Sequence, residues 1–289
     1  MSETESKGRS VSQAVIYGLL LAGAFLFSVL IVKELFILLI AVVSAAGAWE
    51  LCSALRQKNW QVPRLPVAVG SALVMPITYF GGERAQWLSV LALVGLLMLW
   101  RGVELLVQRA SLERSFAEII RDFSASAFVV IYIPLTMSFA ALLLAEPAHD
   151  GFVEGKYWVI TVVTTVILID SSAYLFGRKI GKTPMLPKVS PKKTWEGFFV
   201  SVLFAIASTL VQTSWLLQLP WWFAFVIAAV VLLSAVLGDF AESLIKRDLG
   251  VKDMSSLIPG HGGMMDRLDS MLPACLTGYL MMVFVTRFF

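Results

Sequence analysis

Cysteine and histidine are nearly missing from this chain, with two of each in 289 residues. Cys52 and Cys275 sit in or beside apolar runs and are too few for a disulfide framework. They read as small core residues. His149 and His261 fall on opposite sides of the topology argued below, which excludes a multi-histidine zinc site. Charge is scarce too. Asp, Glu, Lys and Arg make up 15% of the chain, against ~25% in soluble domains. The net charge of +3 is small, and the basic residues flank apolar runs instead of forming a stripe. Nucleic acid is therefore not an expected partner. A low-complexity linker, an internal repeat and a soluble domain are also lacking.

What fills the chain is apolar. Hydrophobic residues reach 58% and the mean hydropathy is +0.81. A helical bilayer crossing takes ~20 apolar residues. About nine candidate spans follow: 12–32, 35–55, 66–80, 86–100, 124–145, 157–176, 198–217, 221–238 and 271–288. Helices are the plausible form, because isolated strands leave backbone groups unpaired in lipid and these runs are too uniformly apolar for a barrel. The opening "MSETESKGRS" does not resemble a signal peptide, so the first run is expected to stay as a helix. The expectation is an all-α polytopic integral membrane protein. It is one domain over 1–289, with about five spans in 1–150 and catalytic helices and loops in 151–289.

Basic loops stay on the cytoplasmic side. With the N-terminus inside, 19 of the 23 Lys and Arg residues fall in inside segments and 4 outside. The expected topology is N-in/C-out. The segment 111–123, "SLERSFAEIIRDF", carries Leu112, Phe116, Ile119, Ile120 and Phe123 at helical spacing. It reads as an amphipathic helix on the inner membrane surface, or as a connecting helix packed on the bundle.

Three polar clusters fall on the expected cytoplasmic side. In the first, Asp170 lies inside an apolar run, where a carboxylate usually faces a cavity or a partner. Tyr174 shares its helical face; a plain interhelical hydrogen bond is the bland alternative. The following "GRKIGKT" fails as a P-loop, since three residues, not four, separate Gly177 from Gly181. In the second, "VSPKKTWEG", Lys192 and Lys193 suit either anionic lipid headgroups or a polyphosphate. Trp195 there could be an interfacial anchor.

The third runs from Gly238 to Ser270. If the apolar helix continues past Gly238, Asp239, Glu242, Ser243 and Lys246 form one polar face. "PGHGG" cannot be regular helix, and its glycines allow close backbone approach to a ligand. A new helix is expected near Met264, with Asp266 and Asp269 facing one way beside Arg267 and Ser270. Aspartates suit a hard cation such as magnesium. Lysines and arginines suit phosphate oxygens. Together they imply a metal–polyphosphate site; a surface salt-bridge mesh would not explain the glycines. His261, between glycines in a charged loop, is as readily structural as functional.

The stretch "SLIKRDLGVKDMSSLIPGHGGMMDRLD" resembles the signature of phosphatidate cytidylyltransferases, the CDP-diacylglycerol synthases. It matches at Ser243, Lys246, Arg247, Lys252, Asp253, His261, Gly262, Gly263, Asp266, Arg267 and Asp269. Asp170, Ala173 and Tyr174 match a second family element, and Ser190 to Gly197 a third. These motifs cover the last 120 or so residues; the first 150 resemble the family in hydropathy alone.

The resemblance implies an integral membrane enzyme that converts phosphatidic acid and CTP to CDP-diacylglycerol and pyrophosphate. It also implies a homodimer among membrane lipid, with the site open to the cytoplasm. Magnesium is the implied cofactor, as one or more divalent ions, with a monovalent cation as a further candidate. Asp239 and Asp266 would bind metal. Lys246, Arg247, Lys252, His261 and Arg267, with Asp269, would surround the phosphates. Lys192 and Lys193 gain weight as phosphate binders. Asp170, Tyr174, Ser190, Glu242, Ser243, Asp253, Gly262 and Gly263 complete the implied substrate site. A CTP-dependent polyprenol or lipid kinase is the nearest rival. A transporter is a remote one, since charge gathers at one face and no repeat appears. The expected location is a bacterial inner membrane.

Overall fold

The structure, a computed structural model, describes residues 23–107, 116–148, 152–187, 189–251, 253–255 and 263–288. Helix dominates it. A segment at 23–30 (α1) precedes α2 (Lys33–Gln57) and α3 (Arg64–Val107). Next, α4 (Phe116–Val130) passes through a π turn at Ile131–Leu135 into α5 (Thr136–Ala145). Pro134 lies in that turn; it lacks one backbone N–H, and the wider turn absorbs the loss. Then come α6 (Gly155–Ile180), α7 (Trp195–Trp215), α8 (Phe223–Leu249), the single turn α9 (Met265–Leu268) and α10 (Met271–Phe288).

Seven helical segments among the described residues are long and apolar enough to cross a membrane. Their surfaces agree with that reading. Phe80 is 76% exposed, Leu99 69% and Leu38 60%. Contiguous apolar exposure on this scale would drive association in water and is ordinary against lipid. Leu51, Ile133, Leu144, Ile169, Ile227 and Leu272 are fully buried between the helices.

The third and fourth expected spans both lie in α3. A straight helix of 44 residues would be about 66 Å long, twice the ~30 Å hydrocarbon thickness. Gly82 breaks it, with φ 68° and ψ −163°, a conformation only glycine adopts readily. The two arms double back. Gly70 lies so close to Leu93 that a methyl group there would come within 2.2 Å of its side chain.

Of the segment 111–123, residues 111–115 lie outside the described part. From Phe116 the helix runs unbroken into the bundle, packed as the alternative reading had it. The reason is electrostatic. Asp122 is buried and paired with Arg101 at 2.9 Å and Arg121 at 3.2 Å, so this turn is held inside the protein. The all-α class holds, with one short addition: β1 (Pro184–Leu186) and β2 (Ser190–Thr194) form an antiparallel hairpin between α6 and α7.

Polar ties gather at the ends of the bundle. At one end Glu154 accepts from Lys33 at 3.1 Å and Lys156 at 2.9 Å; these bonds, Lys156 first, hold its carboxyl below the usual range. At the other, Gln61 meets Arg101 at 3.4 Å, and Arg121 donates to the Asn59 carbonyl at 3.4 Å.

Candidate active site

Helix α8 carries the apolar run and the polar face on one continuous rod. Asp239, Glu242, Ser243 and Lys246 share its inner side in the last turns, as expected. Gly250, at φ 71°, ends it. The Gly250 N–H bonds the Arg247 carbonyl at 3.1 Å and the Val251 N–H bonds the Lys246 carbonyl at 3.0 Å, a left-handed glycine stop. The helix expected from Met264 is shorter than foreseen. It covers Met265–Leu268, and a turn at Asp269–Ser270 separates it from α10.

That turn touches α8 backbone to backbone. A methyl group on Gly238 would come within 2.2 Å of the Asp269 carbonyl oxygen, so this approach requires glycine. It places Asp269 beside Asp239. Ligand atoms of Asp239, Glu242 and Asp269 all lie within 4.8 Å of one another. Unit charges at that separation repel by roughly 3 kcal/mol per pair at an effective dielectric of ~20. Cations answer them: Lys193 pairs with Asp239, and Lys246 Nζ lies 2.5 Å from Glu242. Glu242 is fully buried, and its Oε1 has no hydrogen-bond partner among the described residues. Three carboxylates with an unsatisfied buried oxygen fit a hard cation, which takes oxygen ligands.

Asp266, the second expected metal ligand, is otherwise engaged. Its Oδ1 accepts from Lys246 at 2.8 Å. Its Oδ2 accepts from Gly263 N–H at 2.8 Å and Met254 N–H at 3.2 Å. The geometry therefore groups Asp269 and Glu242 with Asp239, while Asp266 ties the signature segment together.

The third family element is divided between structure and chemistry. Thr194 caps α7, its hydroxyl accepting from Gly197 N–H at 3.3 Å. Glu196 accepts from Thr183 Oγ1 at 2.9 Å, closing the hairpin on α7. Arg247 Nε donates to the Val189 carbonyl at 3.1 Å and ties the hairpin to α8. Held this way, β2 presents Ser190, Lys192 and Lys193 to a cavity of about 380 Å³, within the ~300–1,000 Å³ of small-molecule sites.

The cavity unites all three polar clusters. Asp239, Asp266, Asp269, Lys192, Lys193 and Arg267 all line it. Asp170 and Tyr174 come from α6, and Asp170 accepts from Ser270 Oγ at 3.3 Å. Ile169, Ala173, Phe198 and Val236 form an apolar wall. Glu242, Ser243, Lys246 and Arg247 stand behind the lining, and Asp253 is exposed on the return segment. Lys252, His261 and Gly262 lie outside the described residues.

Sequence reasoning missed Glu50. This α2 residue is 2% exposed. It accepts from Ser255 Oγ at 2.5 Å, Met264 N–H at 2.9 Å and Met265 N–H at 2.8 Å. The signal that flagged Asp170, one carboxylate inside an apolar run, was equally present in "GAWELCSAL".

Fold and cavity together define an integral membrane protein with a pocket lined by carboxylates and basic side chains at one end of its helix bundle. The chain belongs to the cytidylyltransferase family, whose model matches residues 12–285. It is similar to the phosphatidate cytidylyltransferase of Mycobacterium bovis, at 32% identity over 97% of this chain and 91% of that protein. It is also similar to the phosphatidate cytidylyltransferase of Aquifex aeolicus, at 30% identity over 97% and 94%. The chloroplastic phosphatidate cytidylyltransferase 4 of Arabidopsis thaliana is 31% identical over 99% of this chain and 76% of its own.

Proposed function

We propose that this protein transfers the CMP group of CTP to phosphatidic acid, giving CDP-diacylglycerol and pyrophosphate. The observation that carries the reading is the cavity itself, where four aspartates, two lysines and an arginine meet apolar side chains.

A phosphate oxygen of phosphatidic acid attacks the α-phosphorus of CTP. The new P–O bond forms as the bond to the bridging oxygen breaks, and pyrophosphate leaves with the electron pair. The nucleophile is already anionic, since a phosphomonoester loses its second proton near pH ~6. No strong general base is needed. The difficulty is bringing two anions together, and positioned cations supply the remedy. Lys192, Lys193 and Arg267 take the phosphate oxygens. Lys246 holds Glu242 and Asp266 in place. The apolar wall takes the first part of the acyl chains.

Asp239, Glu242 and Asp269 would hold magnesium, with Asp266 at the edge of the same pocket. When bound, the ion neutralises phosphate oxygens and fixes the in-line arrangement. A monovalent cation is a second candidate occupant.

The site faces the cytoplasm in an N-in/C-out chain of about nine spans. The bias of basic residues supports that reading, as does the Gly82 hairpin. The active unit is a homodimer, as the family resemblance implies. A bacterial inner membrane is the proposed location, supported by the bacterial relatives.

The test supplies purified protein with phosphatidic acid, magnesium and CTP labelled on the α- or the γ-phosphate. The α-label should enter lipid and the γ-label leave as pyrophosphate. A γ-label in lipid would instead mark a lipid kinase.

A further inference from the structure

Glu50 raises an energetic question. A buried carboxylate is costly unless paired or hydrogen-bonded, and no Lys or Arg among the described residues pairs with it. Its three partners are all donors. Oε1 accepts from Ser255 Oγ and Met264 N–H, and Oε2 accepts from Met265 N–H. Both oxygens are thus used as acceptors, which an ionised carboxylate can do and a carboxamide cannot. A methyl group on Gly263 would come within 2.6 Å of Oε2, so the chain is shaped closely around this side chain.

The partners matter by position. They lie 205 to 215 residues along the chain, on the two described flanks of the signature segment. Asp266 binds the same flanks, through Met254 N–H and Gly263 N–H. Two carboxylates from different helices therefore tie 254–255 to 263–265. One of them lines the cavity, and the other stands behind it on α2.

We infer that Glu50 is a positioning residue for nucleotidyl transfer. Its carboxylate fixes the flanks of the signature segment, and thereby the placement of Asp266, Arg267 and Asp269. The N-terminal helices then contribute to turnover, not only to membrane anchoring. This rests on the cytidylyltransferase reading for its kinetic arm alone.

The experiment compares wild type with Glu50→Gln and Glu50→Asp in detergent. It measures thermal unfolding, kcat and KM per folded molecule, and hydrogen exchange of the peptide spanning 253–268 without substrate or metal. Glu50→Gln keeps the volume but sets an NH2 group against a backbone donor. Loss of charge-assisted bonds predicts a ~10- to 100-fold fall in kcat. The KM for phosphatidic acid should change little, and exchange of Met264 and Met265 should accelerate. Glu50→Asp should recover part of both. A Glu50→Gln protein with kcat within twofold of wild type, or with unchanged exchange, overturns the inference. If Glu50→Gln does not fold, Ser255→Ala removes one donor and leaves two. It should accelerate exchange and lower kcat several-fold, and no change in either measurement overturns the inference. Wild type that forms no CDP-lipid would sink the functional reading, while the exchange comparison would still test the clamp.

Discussion

Asp239, Glu242 and Asp269 crowd three carboxyl groups into a space that two lysines only partly offset. Removing one carboxylate should relax the repulsion and steady the empty site while disabling the loaded one. Asp239→Asn and Asp269→Asn are each expected to lower CDP-lipid formation by ~100- to 1,000-fold, the scale for losing one transition-state contact. Thermal unfolding should be unchanged or slightly higher. Lys193 lies against Asp239 and over the Phe240 ring at 4.4 Å. Lys193→Ala should raise the KM for CTP about tenfold, the worth of one charge-assisted bond, read from initial rates at saturating phosphatidic acid.

Among the elements, the α3–α4 contact is a structural support and should fail differently from the site. Arg101 and Asp122 are both buried. Breaking such a pair by removing one partner costs about 3–5 kcal/mol. Asp122→Ala should therefore lower the unfolding temperature sharply, with kcat per folded molecule retained. The same residues show what a sequence conceals. Asp122 pairs with Arg101 across 21 positions, and helical spacing does not report a pairing at that range. The helical spans were legible because apolar length alone specifies them. The hairpin was not, since Pro191-Lys192-Lys193 carries no alternation that marks a strand. The polar face of α8 was legible from its spacing. Glu50 stood in plain view, but its partners are more than 200 residues distant, and periodicity carries no information at that range.

For the whole molecule, the two ends of the bundle have different duties. Glu154, Lys33 and Lys156 tie one end; the cavity, the hairpin and Glu50 occupy the other. Cys52 and Cys275 are both buried, so single introduced cysteines can be labelled without background. In sealed vesicles of known orientation, Lys58→Cys and Lys182→Cys should react only from the cytoplasmic face and Lys156→Cys only from the opposite face. The reverse pattern would invert the proposed topology.

The apolar wall of the cavity also governs how substrate is counted. Ile169, Ala173 and Phe198 line it, while Leu175 and Phe199, their neighbours in sequence, are 53% and 61% exposed. In the proposed reaction one substrate is a lipid of the bilayer, while the other arrives from water. The enzyme would then sense phosphatidic acid as a fraction of a two-dimensional fluid. Diluting that lipid with inert phospholipid at constant bulk amount should slow the reaction in proportion to mole fraction, whereas enlarging the aqueous volume at fixed CTP concentration should leave the rate per enzyme unchanged.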